Sequence, residues 1–181
     1  MKREPSSGRG VHVRPADARD YPLLPALEAA SDTLLAAAPG VRASQAALPP
    51  VATLPEFIAA RRVLVAGRPP AGFARLEEID GQAHLEQLSA HPDAAGAGLG
   101  RALVEAALEW AREQGYATMT LCTFAGVPFN APFYASCGFE VVQDPQAELG
   151  ALRQHEAALG LDAMGKRVAM RVRLLPASAG E

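Results

Sequence analysis

At 181 residues, 49% of them hydrophobic, the chain is long enough for one domain with a sizeable core and too apolar for a disordered one. A formal net charge of −3 argues against a nucleic-acid surface or an anionic membrane as partner, and no apolar run approaches the ~20 residues of a bilayer span. Cys122 and Cys137 have neither metal-ligand nor disulfide-framework spacing, and the N-terminus lacks the apolar core of a signal peptide. A cytoplasmic protein with reduced thiols and no metal is therefore expected.

Residues 1–10 read as a loose tail ahead of a single domain spanning residues 11–175, with a second tail at 176–181. Val11-His12-Val13-Arg14 alternates like a first strand. Asp17 is placed to cap a helix reaching about Leu35, with Pro22 and Pro25 confining its regular part or breaking its start. Residues 36–50 have no period and read as a loop. Thr53-Leu54-Pro55-Glu56 is a strong helix start, Thr at the N-cap and Pro in the first turn, and this helix should end by Arg61 or Arg62. Short strands are expected at residues 63–67, 72–78 and 83–90, with Asp80-Gly81 as a hairpin turn.

The next helix, Leu99 to about Gln114, carries Leu99, Leu103, Ala106 and Trp110 in one stripe and Val104, Leu108 and Ala111 beside it. So wide an apolar face suits packing on a sheet, and Gly115 is a fitting stop. A β-rich run at 118–124, a short helix at 131–136, a strand at 139–142, a helix at 147–159 and a last strand at 167–174 complete the chain. The sum is an α+β sandwich: a mixed, mostly antiparallel sheet with helices on both faces.

Between the fourth strand and the long helix lies His91-Pro92-Asp93-Ala94-Ala95-Gly96-Ala97-Gly98-Leu99-Gly100-Arg101. Glycines permit close backbone approach, and a helix start offers unpaired N–H groups and a positive dipole end, which together suit a phosphate or pyrophosphate. A nucleotide-hydrolase loop would need Gly-Lys-Ser/Thr where Gly100 is followed by Arg101-Ala102. A dinucleotide fold would put its glycines after the first strand rather than after a hairpin. A loop needed only to pack helix on strand stays open on this segment alone.

A second segment narrows the choice. The run from His84 through the loop Gly96-Ala97-Gly98-Leu99-Gly100 into the helix resembles the acyl-CoA motif of the GNAT N-acetyltransferase superfamily. Asn130-Ala131-Pro132-Phe133-Tyr134-Ala135-Ser136-Cys137-Gly138-Phe139 resembles that superfamily's other signature, with one helix and one strand between the two. The resemblance implies a GNAT acyltransferase fold and acetyl-CoA as acyl donor. It implies pyrophosphate contacts from the backbone N–H groups of Gly96, Ala97, Gly98, Leu99, Gly100 and Arg101. It implies backbone pairing of Leu88, Ser89 and Ala90 with the pantetheine arm, and contacts to the CoA arm from Asn130, Phe133 and Tyr134. Asn130 is equally placed as a helix N-cap. Relatives usually carry basic or Gln side chains where this chain has Ala95 and Ala97; Arg101 is the nearest substitute.

The implied reaction is attack of an amine on a thioester, which needs a base to take a proton from the amine. Glu86 matches the family's base position and Tyr134 its proton donor to the leaving thiolate; His84 is the rival base. Strand alternation would put His84, Glu86, Leu88 and Ala90 on one face unless a bulge shifts the register. Cys137, close to Tyr134, raises an acyl-cysteine route, although no activating partner is apparent in sequence.

The resemblance implies an amine of a small molecule or peptide as acceptor, which no residue here specifies further. Glu77, Glu78, Asp80 and Glu86 would suit a cation, or form a solvated hairpin. The family builds its acceptor site from the first two helices, here residues 17–62 with Tyr21 and Phe57. A homodimer is left open by the resemblance. The alternative is a non-catalytic acyl-CoA-binding module, sensor or assembly part, of the same fold.

Overall fold

A computed structural model of the chain describes residues 10–42 and 48–174. Strands β1 (Val13–Pro15), β2 (Arg62–Ala66), β3 (Gly72–Ile79), β4 (Gln82–Ala90), β5 (Thr118–Phe124), β6 (Glu140–Val142) and β7 (Arg167–Arg173) form one sheet. Their order is β1-β2-β3-β4-β5-β7-β6, and β4–β5 is the parallel pair in an otherwise antiparallel sheet. Helices α1 (Leu24–Ala36), α2 (Leu54–Ala59), α3 (Leu99–Glu113), α4 (Ala131–Ser136), α5 (Ala147–Ala158) and α6 (Leu161–Met164) connect the strands. The α+β sandwich expected from the sequence is the fold observed.

The stripe read on α3 is its buried face. Leu103, Val104, Ala107 and Trp110 meet Leu64, Leu76, Leu85 and Leu121 of the sheet, joined by Tyr134 and Phe139 beside α4. On the opposite face Leu24 and Leu27 of α1 and Phe57 of α2 cover Val63, Val65 and Phe73. Phe57 meets Phe73 edge-on at 5.2 Å. A third cluster ties Phe124 of β5 to Leu161 and Met164 of α6. Each large side chain buried this way contributes about 1.5–3 kcal/mol, so short helices such as α2 and α6 are held by packing rather than by propensity.

Several element ends follow from local chemistry. Thr53 and Glu56 form a reciprocal capping box at the start of α2. That helix stops at Ala59, earlier than expected, because Ala60 turns extended and leaves Arg62 to open β2. Asp80 and Gly81 both have positive φ, 55° and 66°, the geometry of a two-residue hairpin turn. The Asp80 carboxylate also accepts the N–H groups of Glu148 and Leu149, while the Glu148 carboxylate accepts the Asp80 N–H. The β3–β4 turn thus caps α5 from outside its own segment.

Asp17 does not cap α1. The two prolines force a broken start: a 3-10 turn at Tyr21–Leu23 precedes α1, with Pro22 and Pro25 in their first turns. The Asp17 carboxylate instead accepts from Arg19 N–H. Its neighbour Asp20 is buried against Arg14, whose guanidinium holds the carboxyl down to about 2. Helix α6, four residues without a readable period, was not expected. Most of the two expected tails and the centre of the loop at 36–50 lie outside the described residues.

Candidate active site

Strands β4 and β5 pair only at Ala83–Met119 and His84–Thr120. Beyond that point β4 stays with β3 to Ala90 and β5 with β7 to Phe124, so the two part like a V. The opening is a cleft of about 440 Å³, walled by β4, β5, α1, α4 and the glycine loop. Leu88 and Ala90 line it. Ser89 does not line it; its side chain is buried, with the hydroxyl accepting from Gln87 Nε2 at 3.0 Å. The Ala90 N–H already donates to Ser31 Oγ of α1, at 3.3 Å.

The glycine loop continues the cleft. Gly96 and Gly98 both have φ of +79°, an angle closed to most side chains, and Gly98 is the left-handed N-cap of α3. A Cβ at either would meet nothing within 4 Å, so the loop is open to a ligand. The first helical bond is Ala102 N–H to Gly98 C=O. The N–H groups of Gly96, Gly98, Leu99, Gly100 and Arg101 therefore have no backbone partner among the described residues. Ala97 differs from expectation: its N–H closes a turn onto Ala94 C=O at 3.2 Å. This donor set fits a pyrophosphate. The Arg101 side chain turns away, donating to Ser136 Oγ at 2.8 Å and lying 5.8 Å from the Phe133 ring centroid.

At the fork sit Glu86 and His84. The β3–β4 register pairs Leu76 with Leu85 but Arg75 with Gln87, which leaves Glu86 as a bulge. The bulge corrects simple alternation. His84 and Glu86 share the α1 side, while Leu88 falls on the α3 side, packed against that core. Glu86 Oε1 lies 3.5 Å from Arg75 Nη2, and Oε2 lies 3.5 Å from His84 Nε2. Burial pushes the Glu86 carboxyl above its ordinary value, partly opposed by Arg75. His84 is 1% exposed, and burial pushes its imidazole down to about 4. The rival base is thus a neutral, enclosed ring at physiological pH.

Tyr134 lines the opposite wall at 9% exposure, and its hydroxyl has no hydrogen-bond partner among the described residues. Burial pushes the phenol above its ordinary value, so it stays protonated and able to donate. Phe133 and Asn130 line the cleft beside it. Asn130 stands at the N-cap position of α4 without capping it; its Oδ1 accepts from Thr123 Oγ1 at 2.6 Å. Cys137 packs against the α3-side core and does not line the cleft. Cys122 does, but burial pushes its thiol up to about 12, which leaves it a poor nucleophile.

Of the four hairpin acids, only Glu86 reaches the cleft. Glu78 binds Arg61 and Tyr116, Asp80 caps α5, and Glu77 lies 3.6 Å from Arg75. Tyr21 and Phe57 belong to the core under α1 and α2 rather than to the cleft. What α1 contributes instead is Ser31, Asp32, Leu34 and Leu35. Asp32 is partly buried, has no hydrogen bond or ion pair among the described residues, and has its carboxyl raised by burial. The far end carries Glu156 and Arg167, bonded at 2.6 Å, with Arg153 on the other Glu156 oxygen. The available signal for Asp32 was a carboxylate near the apolar stripe of α1; for Glu156 and Arg167 there was none.

No helix among the described residues is long and apolar enough to cross a membrane, and no group of three or more His, Cys, Asp or Glu among them could hold a metal ion. Solved structures share the architecture. A GCN5-related N-acetyltransferase from Rhodopseudomonas palustris superposes with a TM-score of 0.62 at 23% identity, covering 91% of this chain and 96% of that one. The PaiA N-acetyltransferase of Thermoplasma acidophilum, in complex with coenzyme A, gives 0.63 at 16% identity, over 90% and 98% of the two chains. The ribosomal-protein-S18-alanine N-acetyltransferase of Escherichia coli gives 0.58 at 20% identity, over 94% and 97%. The fold is that of the acyl-CoA N-acyltransferases. The model of the acetyltransferase (GNAT) family matches residues 42–139, over half the chain, and the chain belongs to that family.

Proposed function

We propose that the protein is an N-acetyltransferase that moves the acetyl group of acetyl-CoA to a primary amine of a small molecule or peptide, by direct attack in a ternary complex in the cytoplasm. The observation that carries this reading is one cleft holding a carboxylate, Glu86, and a protonated phenol, Tyr134, beside a loop of unpaired amides. The coenzyme A bound to the Thermoplasma relative agrees with the choice of donor.

Each residue then has a task. The free N–H groups of Gly96, Gly98, Leu99, Gly100 and Arg101, with the positive end of α3, receive the pyrophosphate. The backbone of Leu88 and Ala90 flanks the pantetheine arm, with Asn130 and Phe133 on the other side. Glu86 takes a proton from the acceptor ammonium, directly or through one water, and frees the lone pair that attacks the thioester. Tyr134 gives a proton or a hydrogen bond to the departing thiolate. Asp32 adds a second carboxylate that draws a cationic acceptor toward Glu86.

The test is free-thiol release from acetyl-CoA across a panel of peptides and small amines, run beside calorimetry of acetyl-CoA binding. Acceptor-dependent thiol release is the expected result. Tight binding with no release for any acceptor would favour the acyl-CoA-binding module, a reading supported by the absence of a basic side chain at Ala95 and Ala97.

A further inference from the structure

Glu86 as a base, the reading on which this inference rests, poses a problem of its own. A carboxylate drawn out of water favours its protonated form, yet a base must be ionised to accept a proton. The surroundings of Glu86 address both its charge and its aim. We propose that Arg75, His84 and Thr120 form a positioning network that keeps Glu86 ionised and directed into the cleft, with the imidazole as a fixed neutral donor.

The bulge is the first link. Because Glu86 has no partner on β3, its side chain projects on the α1 side together with those of Arg75 and His84. One oxygen faces Arg75 Nη2 and the other His84 Nε2, each at 3.5 Å. Arg75 is itself held, its guanidinium 5.8 Å from the Phe57 ring centroid. Its Nε and Nη1 are buried without a hydrogen-bond partner, and Nε lies 3.6 Å from Glu77 Oε1, so Glu77 and Glu86 share its charge.

The imidazole is fixed from behind. His84 Nδ1 lies 2.7 Å from Thr120 Oγ1, across the last β4–β5 pair before the strands part. A neutral imidazole has one donor and one acceptor, a carboxylate only accepts, and a hydroxyl does either. With Glu86 ionised, the consistent assignment puts the proton on Nε2, toward Glu86, with Nδ1 accepting from the Thr120 hydroxyl. Enclosure at 1% exposure keeps the ring from charging, so it supplies a dipole without adding a titrating group.

Other charges face the same carboxylate. Glu77 of β3 and Glu156 of α5 oppose its ionisation, and Arg167 of β7 assists it. Cys122 of β5 and Asp32 of α1 line the same cleft, while Glu28 of α1 and Glu56 of α2 lie toward Arg75. With acids outnumbering the two arginines, Arg75 is the nearest cation and its removal should have the largest effect. The 3.5 Å contacts are long, as is common before a substrate closes a site, and should tighten in the loaded complex.

The test starts on the wild-type protein. Nitrogen NMR of the His84 ring from pH 5 to 9 should show the neutral Nε2–H form throughout; an Nδ1–H form, or titration near the ordinary value of 6.5, would overturn the network. Carbon NMR then follows the Glu86 carboxyl, identified by its loss in Glu86→Gln. Arg75→Gln should move its midpoint up by about one pH unit, His84→Gln by less, and Thr120→Val by less again, with Thr120→Ser returning it to the wild-type position. With an acceptor from the amine panel, the acid limb of kcat/KM should move in the same order, and KM for acetyl-CoA should not. A Glu86 midpoint that Arg75→Gln and His84→Gln both leave in place overturns the network whatever turnover does. Full turnover by Glu86→Gln overturns the base reading beneath it, a separate outcome.

Discussion

On one side of the cleft the chain presents backbone. From Ala95 to Arg101 it offers free N–H groups on two left-handed glycines and a helix start, with no charged side chain turned inward. On the other side it presents side chains, Glu86, His84 and Asp32, from β4 and α1, with Thr120 of β5 behind and Tyr134 of α4 across. The first half depends on conformation, so most side-chain changes there should matter little unless they alter φ or add charge. The second half depends on which atoms face which, so single atoms should matter a great deal. The asymmetry suits a protein that holds one constant ligand by its backbone and treats a variable partner with tuned side chains.

The largest expected effect tests the side-chain half. Glu86→Gln should lower kcat/KM at pH 7 by about 10²–10⁴-fold, with acetyl-CoA affinity by calorimetry unchanged; a parallel loss of affinity would mean the two halves are not separable. Tyr134→Phe should cost about 10²-fold in the chemical step, measured by single turnover, without moving the acid limb that Glu86 sets.

Changes in the backbone half should be smaller. Ala97→Arg, at an exposed loop position, should tighten acetyl-CoA by up to about 1.5–3 kcal/mol if the new guanidinium reaches a phosphate. Calorimetry at two salt concentrations should find that gain shrinking with ionic strength. Gly98→Ala should cost about 1–2 kcal/mol in urea unfolding, because alanine resists a φ of +79°, and should weaken acetyl-CoA binding through the same distortion.

An effect on stability alone lies behind the cleft wall formed by α1. Burial raises Glu28 to about 7 from an ordinary 4.5, although Ala52 N–H donates to it. The unfolded chain therefore loses this proton first, and the contribution to stability falls as pH rises from about 4.5 to about 7, then levels off. Glu28→Gln should remove that slope, seen as a Tm difference from wild type that grows in the variant's favour across the same window.

Much of this was legible in the residues. The α3 stripe, the Thr53 capping box, the Asp80-Gly81 turn and the Gly96–Gly98 loop each rest on contacts within a few positions, where propensity and spacing decide. Glu86 and Tyr134 were named by family likeness, and both line the cleft. Whether the hairpin acids suit a cation or solvent stays open in the residues, because charge in sequence does not say which partner claims it; Arg61, Tyr116 and the start of α5 take Glu78 and Asp80. His84, the rival base, proves to be enclosed and 2.7 Å from Thr120 Oγ1, surroundings that no spacing in the sequence reveals.

By itself, then, the sequence determined the α+β class, the order of the strands and longer helices, and a loop whose glycines leave amides free, since all three follow from short-range periodicity and backbone sterics. Tertiary structure decided the rest. The parting of β4 from β5, the bulge that turns Glu86 beside Arg75 and His84, and the arrival of Asp32, Glu156 and Arg167 at one cleft come from elements far apart in the chain. Burial and charge pairing exist only once those elements pack, and they set which carboxylates are free to act.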